Sequence, residues 1–162
     1  MNPKWQYTIN NSGEAEKLKE KYKLNDLLAL ILANRNINVD NAEVFLNPTR
    51  KDFHNPFDMP DMEKAVERII SAIDKKEKIT IYGDYDVDGI TSITTLKSFL
   101  EERGLEVEYY IPHRLNEGYG LNKEAVKKIA DNKTILMITV DCGITGIKEI
   151  EYAKSLGLDV IV

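Results

Sequence analysis

The chain has 162 residues, of which 43% are hydrophobic and 30% are charged, and its formal net charge is −5. This length fits one ordinary domain with or without an added helical segment, and the negative charge argues against a protein that coats nucleic acid electrostatically. A single cysteine excludes an internal disulfide, and the sequence has neither a signal-like N-terminus nor an apolar stretch of the roughly 18 residues that span a bilayer. We therefore expect a cytoplasmic protein.

Residues 1–60 are predicted to form a small helical segment and a connector. Acids alternate with lysines in the stretch 14–23, so a solvated helix face is favoured there over a nucleic-acid patch. Apolar residues then recur at helical spacing, at Leu24, Leu27, Leu28 and Ile31. This spacing predicts an amphipathic helix, for which Asn25 or Asp26 is available as the cap.

A capping box is predicted from Asp40 to Glu43, and the short helix that it opens would end before Pro48. Residues 47–60 contain three prolines and show no periodicity, so we interpret them as a connector. A longer helix with a continuous apolar stripe follows and is predicted to pack onto a core, with Asp61 as its cap.

From residue 78 onward, short β-branched runs alternate with helical patterns. Strands are predicted at 78–83, 106–111, 134–140 and 158–162, and helices at about 90–102, 122–131 and 145–156. This alternation is typical of right-handed βαβ units, so we predict an α/β fold with a parallel four-stranded sheet in the order 2-1-3-4, flanked by helices. The α/β domain would span 61–162. Its last strand lacks a covering helix, so we expect the sequence to be part of a longer protein.

Three aspartates lie between the first strand and the helix after it, at Asp84, Asp86 and Asp88. Carboxylates this close repel one another unless a cation lies between them, and hard divalent cations such as Mg²⁺ and Mn²⁺ prefer carboxylate oxygens. Asp141 follows the third strand, which the predicted order places beside the first. Ligands of open α/β sheets bind beyond the carboxyl ends of the strands, so these acids are predicted to form one metal site. Asp141 on its own could also be a turn residue or a helix cap.

Other types of site contain a similar cluster of aspartates. An EF-hand calcium loop ends on a bidentate glutamate, but Thr95 stands at the matching position, and the predicted preceding element is a strand. A phosphatase of the haloacid-dehalogenase type uses an Asp-x-Asp after its first strand, but it requires neither a third aspartate nor an Asp-x-Gly after the third strand. Neither pattern accounts for all of the acids.

Two motifs resemble those of the DHH phosphoesterase superfamily, namely Tyr82-Gly-Asp-Tyr-Asp-Val-Asp-Gly-Ile-Thr-Ser92 and Val140-Asp-Cys-Gly-Ile144. Within it the sequence is similar to the RecJ family of single-strand exonucleases, through Ile111-Pro-His-Arg-Leu-Asn-Glu-Gly-Tyr-Gly-Leu121, Asn34-Arg35 and Phe45-Leu-Asn-Pro48. The resemblance implies metal-dependent hydrolysis of single-stranded DNA in repair and recombination. A smaller relative acting on oligoribonucleotides, cyclic dinucleotides or pyrophosphate is the alternative enzyme, and a calcium-binding structural module is the alternative outside enzymes.

The resemblance also implies which residues form the active site. Asp86 and Asp88 would be metal ligands, Asp141 would bridge the metals or complete the site, and Asp84 is either a ligand or a residue that orients one. All four are catalytic candidates in a site that takes Mn²⁺ or Mg²⁺, with Mn²⁺ favoured. The third motif of the family, Asp-His-His, would follow Val162, so the two-metal site is expected to be incomplete and the chain inactive alone.

Other side chains are candidates for substrate contacts. Arg114 can bind a phosphate bidentately, and Tyr119 can stack on a base unless it only packs within its loop. Thr91 and Ser92 could face a phosphate at the helix N-terminus or simply cap the helix. Cys142 is interpreted as a small buried residue beside a ligand and not as a nucleophile. Single-stranded DNA is the predicted substrate, no membrane contact is expected, and a single-strand DNA-binding protein is a partner expected from the family alone.

Overall fold

The computed structural model describes residues 11–162. The chain divides into two compact units, of which the first ends at Asp58 and the second spans Met59–Val162. The first unit contains helices α1 (Ser12–Tyr22), α2 (Asp26–Asn34) and α3 (Ala42–Leu46) and short 3-10 turns at Arg50–Asp52 and Pro56–Asp58. Helices with the length and hydropathy needed to span a bilayer are absent from residues 11–162.

Helix α2 begins as predicted but buries a different face. The side chain of Asn25 caps it by accepting a hydrogen bond from the backbone N–H of Leu28 at 2.8 Å. The predicted apolar stripe is wrong, because Leu27, Leu28 and Ile31 are exposed. The buried residues of α2 are Ala29, Leu32 and Ala33. This helix is apolar on nearly every side, so spacing alone could not identify the face that packs.

The second unit contains all of the strands in the described part of the chain. They are β1 (Ile79–Gly83), β2 (Val107–Tyr110), β3 (Leu136–Val140) and β4 (Asp159–Ile161), and the helices are α4 (Met62–Lys75), α5 (Val87–Glu101), α6 (Lys123–Asp131) and α7 (Ile147–Ser155). The strands are parallel and form one sheet in the order β2-β1-β3-β4, which confirms the predicted topology. Gly83 pairs with Val140, so the residues that follow β1 and β3 leave the sheet side by side.

Helices cover both faces of this sheet. Successive residues of a strand point to opposite faces, so the two faces of β1 pack against different helices. Ile79 and Ile81 of β1 pack with residues of α4 and α5, whereas Tyr82 packs with residues of α6 and α7. Strand β1 is buried along its whole length, as its short β-branched run predicts. Each fully buried aliphatic side chain stabilises the folded state by about 1.5–3 kcal/mol, so burial of β1 and β3 fixes the positions of their carboxyl ends.

Two of the predicted helix caps are wrong. Helix α3 begins without a capping hydrogen bond from a side chain, and Glu43 instead accepts one from the side chain of Asn47. Asn38 satisfies the backbone N–H of Asp40 at 2.9 Å. Asp61 does precede α4, but its left-handed backbone, with φ at 60°, leaves its side chain without a capping bond. The sequence therefore located both helix starts approximately, but it did not predict the hydrogen bonds that form there.

Helix α5 begins at Val87, earlier than predicted. Asp86 is its cap, and its Oδ1 accepts a hydrogen bond from the backbone N–H of Gly89 at 3.0 Å. The later start was expected because Asp and Gly are poor residues for a helix interior, but anionic side chains favour the first turn of a helix. Asp88 consequently lies on the first turn of α5 and not in the loop that was predicted for it.

Candidate metal centre

Three of the four predicted carboxylates converge at the carboxyl edge of the sheet. Asp84, Asp86 and Asp141 each offer an oxygen within 4.8 Å of the others. Asp84 directly follows β1, Asp86 caps α5, and Asp141 directly follows the neighbouring strand β3. Oxygens that share one divalent cation at about 2.0–2.6 Å lie no more than about 5.2 Å apart. The three acids therefore fit a single Mg²⁺ or Mn²⁺ ion.

Asp84 is the buried member of this group. It is 4% exposed, and the backbone N–H of Tyr85 donates a hydrogen bond to its Oδ1 at 2.7 Å. Among the described residues, no lysine, arginine or histidine forms an ion pair with it. Burying a carboxylate is unfavourable unless opposite charge compensates it. A cation entering from the side of the exposed Asp86 and Asp141 would supply that charge.

Asp141 shows the mutual repulsion of these acids. Its pKa is raised above the ordinary value, first by desolvation of the carboxyl group and then by the negative charges of Asp86 and Asp88. Its backbone adopts the left-handed conformation, with φ at 56°, which aspartate tolerates better than most residues. A bound cation would relieve the repulsion.

Asp88 is not a member of the group of three. It lies on the first turn of α5, near enough for its charge to raise the pKa of Asp141. Its role as a ligand stays a prediction.

Glycines allow the close approaches that form the site. A Cβ on Gly89 would lie 2.3 Å from the carbonyl oxygen of Asp84, so the start of α5 can rest against the end of β1 only with glycine there. Gly143 has φ at +107°, and a Cβ on it would lie 2.6 Å from Oγ1 of Thr139. That hydroxyl donates to the carbonyl of Cys142 at 3.0 Å and fixes the turn after β3. Gly89 in the first motif and Gly143 in the second are therefore required for steric reasons.

Cys142 has the properties of a structural residue. Its thiol donates to the carbonyl of Tyr82 across 3.9 Å. Burial raises the pKa of the thiol to about 11, and the charges of Asp84 and Asp141 add to the effect. A protonated thiol is a poor nucleophile, which agrees with the interpretation from sequence.

The loop between β2 and α6 brings two predicted substrate contacts to the site. The hydroxyl of Tyr119 donates to the carbonyl oxygen of Asp141 at 3.4 Å, while 66% of the residue stays exposed. The pKa of Tyr119 is raised by desolvation and by nearby acids, of which Asp84 is the strongest. The guanidinium carbon of Arg114 lies 5.4 Å from the ring centre of Tyr85, the residue between the first two acids of the motif.

The two hydroxyl residues of α5 are placed differently. Thr91 donates to the carbonyls of Val87 at 2.8 Å and Asp88 at 3.1 Å, so its proton is used within the helix. Thr91 and Ser92 line a pocket along α5 together with Thr95, Leu96 and Phe99. None of the four acids lines this pocket.

Sequence reasoning gave no role to Glu117, which lies within the loop between β2 and α6. Its carboxylate accepts hydrogen bonds from the hydroxyl of Tyr110 at 2.6 Å and from the backbone N–H of His113 at 2.8 Å. An acid flanked by glycine in an exposed loop was the available signal, but the sequence did not reveal which donors would face it.

Comparisons with known proteins identify the family. Residues 78–162 match the DHH family, N-terminal domain. The chain belongs to the DHH family. The single-stranded-DNA-specific exonuclease RecJ of Bacillus subtilis is 39% identical over 160 residues, which are 98% of this chain and 20% of that protein. The RecJ of Escherichia coli is 40% identical over 104 residues, which are 62% of this chain and 18% of that protein.

A solved structure supports the same relationship. The crystal structure of an exonuclease RecJ bound to manganese matches with a TM-score of 0.56 and 37% identity, over 60% of this chain and 25% of that one. These findings confirm the resemblance to DHH proteins of the RecJ type. The chain spans about a fifth of the length of the curated relatives that it matches.

Proposed function

We propose that this DHH chain forms part of the catalytic core of a metal-dependent exonuclease that hydrolyses phosphodiester bonds in single-stranded DNA. The observation that carries the proposal is the convergence of Asp84, Asp86 and Asp141 within 4.8 Å at the ends of two neighbouring strands. Relatives named as single-stranded-DNA-specific exonucleases support the substrate. A role in repair and recombination, a cytoplasmic location and a single-strand DNA-binding protein as partner belong to the same proposal.

The three clustered carboxylates would hold Mn²⁺ or Mg²⁺, and Asp88 is the candidate ligand for a second ion. In two-metal phosphodiesterases the ions activate a water and neutralise charge on the attacking and leaving oxygens. This chain's own part is to fix the geometry, because Asp84 and Asp141 extend from buried strands and Asp86 is held by the first turn of α5. The RecJ structure bound to manganese supports Mn²⁺ as the metal.

Arg114 and Tyr119 are the proposed substrate contacts. An arginine can bind a backbone phosphate bidentately, and an exposed tyrosine ring can stack on a base. Stacking on the face of a base requires a strand that is not in a duplex, which gives a physical reason for single-strand specificity. Thr91 and Ser92 are weaker candidates, because the hydroxyl of Thr91 already donates within the helix.

We also propose that residues 1–60 form a separate helical segment and that 61–162 are the first part of a DHH catalytic domain. The end of the first compact unit at Asp58 and the family match from residue 78 support this division.

A chimera can test the activity. These residues would replace the matching 20% of RecJ from Bacillus subtilis, and the product would be incubated in Mn²⁺ with end-labelled single-stranded DNA, duplex DNA and a short oligoribonucleotide. We expect the chimera to degrade the single-stranded DNA rapidly and the other two substrates little. The chimera that carries Asp86→Asn should have lost this activity. Cleavage of only the oligoribonucleotide would replace this proposal with the smaller-relative alternative.

The isolated chain should be inactive in the same assay. Its described residues cluster three carboxylates, which suffice for one ion, whereas the two-metal reaction needs further ligands. Hydrolysis by the isolated chain that disappears with Asp86→Asn would contradict this expectation, while hydrolysis that survives the substitution would reveal a contaminant.

A further inference from the structure

The loop from His113 to Tyr119 has little packing of its own. Leu115 is 86% exposed and Tyr119 is 66% exposed. Gly118 adopts a positive φ of +78° with no atom within 4 Å of its would-be Cβ. The position of this loop over the metal centre therefore depends on polar contacts and not on an apolar core.

The carboxylate of Glu117 accepts hydrogen bonds both from within the loop and from the sheet. Its Oε1 accepts from the hydroxyl of Tyr110 on β2 at 2.6 Å, and its Oε2 accepts from the backbone N–H of His113 at 2.8 Å. The side chain of Asn122, which caps α6, lies 3.5 Å from Oε1. The hydrogen bond from His113 and then that from Tyr110 lower the pKa of Glu117, so the group is ionised at neutral pH.

Tyr110, which donates to Glu117 from β2, is itself held in place by neighbouring residues. The ring of Tyr110 stacks on Tyr82 with centres 5.4 Å apart and planes 18° apart. Tyr82 is buried in β1, and its hydroxyl donates to the carbonyl of Gly120 at 2.8 Å. The carboxylate of Glu117 therefore joins the middle of the loop to the sheet that carries the acids.

We propose that Glu117 is a positioning residue, whose carboxylate holds the 113–119 loop so that Arg114 and Tyr119 stay at the metal centre. This inference rests on the proposed function, since it assigns those two side chains to the substrate. A glutamine at this position has the same shape but no charge and only one accepting oxygen, so weaker neutral hydrogen bonds would replace the charge-assisted ones from His113 and Tyr110. Glu117→Gln should therefore release the loop while leaving the strand-borne acids in place.

Proteolysis of the 162-residue chain tests whether Glu117 holds the loop, and it requires no DNA. Trypsin cleaves after Arg114 faster when the loop leaves its anchored conformation more often, so a change in the cleavage rate reports a change in how firmly the loop is held. Glu117→Gln should raise that rate roughly tenfold or more, and Tyr110→Phe, which removes one donor, should raise it less. Glu151→Gln is the control, because it makes the same charge change at an exposed position on α7. An unchanged rate after Arg114 in Glu117→Gln would overturn the proposal.

The functional consequence is tested by the binding of a fluorescent single-stranded oligonucleotide in Mn²⁺ at low salt. Glu117→Gln should weaken binding about tenfold while the Mn²⁺-induced rise in melting temperature is retained, a combination that general destabilisation would not produce. In the Arg114→Ala/Tyr119→Ala background the same substitution should have little further effect, because it acts through those side chains. Equal losses in both backgrounds would contradict the positioning role. If the unmodified chain bound no single strand, the assignment of Arg114 and Tyr119 as substrate contacts would be contradicted, and the trypsin rate would still decide whether Glu117 holds the loop.

Discussion

Gly89→Ala should lower the free energy of unfolding by roughly 2–3 kcal/mol and remove most of the affinity for Mn²⁺. The new Cβ would lie 2.3 Å from the carbonyl oxygen of Asp84 and within 2.8 Å of its backbone nitrogen. These are backbone atoms of a buried strand end, so the start of α5 must move instead. Asp86 caps that helix and would move with it, away from Asp84 and Asp141. Denaturant unfolding and the Mn²⁺-induced shift in melting temperature measure both effects.

Gly13→Ala is the matched control for this substitution. Gly13 also lies in a helix, α1, and a Cβ there would meet no atom within 4 Å. Alanine should therefore stabilise α1 by up to about 1 kcal/mol, through its better helix propensity and a less flexible unfolded chain. If Gly89→Ala melted at or above the temperature of the unmodified protein, the close packing of α5 against β1 would be wrong.

Asp86→Asn should abolish stabilisation by Mn²⁺ while leaving the protein without metal nearly as stable as before. Asparagine caps a helix about as well as aspartate, so the bond to the backbone N–H of Gly89 can persist. The substitution also removes one of the repelling charges that raise the pKa of Asp141. Loss of the carboxylate ligand should weaken Mn²⁺ binding by more than the roughly 10–100-fold that follows the loss of a residue supporting a ligand.

Melting curves provide the measurement for this second prediction. An ion present at 100 times its Kd should stabilise the unmodified protein by about 2.7 kcal/mol, and this gain should vanish in Asp86→Asn. Mn²⁺ should raise the melting temperature more than Ca²⁺ at the same concentration, whereas the calcium-module alternative requires the opposite order. Asp88→Asn tests the remaining acid, since a loss of Mn²⁺ stabilisation would make Asp88 a ligand.

The topology and the location of the site could be predicted because the sequence encodes them locally. Strands β1 and β3 are short, mostly apolar runs rich in β-branched residues, and each is followed directly by an aspartate. Once the two strands are neighbours, the parallel register that pairs Gly83 with Val140 brings Asp84 and Asp141 together without further assumptions. The prediction of a common edge for the acids therefore depended only on strand order.

The details that failed depend on particular side-chain contacts that composition and periodicity do not reveal. The start of α5 was placed too late because local propensity does not register the cap that Asp86 provides. The buried face of α2 depends on which apolar side meets α1, and the helix offers several. The role of Glu117 requires Tyr110 to be held on the sheet, which the loop sequence does not reveal.

The position of a bound Mn²⁺ ion tests the proposed metal centre most directly. Crystals of this chain soaked in Mn²⁺ should give an anomalous difference peak between the carboxylates of Asp84, Asp86 and Asp141, about 2.0–2.6 Å from an oxygen of each. The peak should be missing from crystals of Asp86→Asn grown in the same form. An ordered site without a peak, or Mn²⁺ bound only elsewhere on the chain, would contradict the assignment of these three acids to a metal.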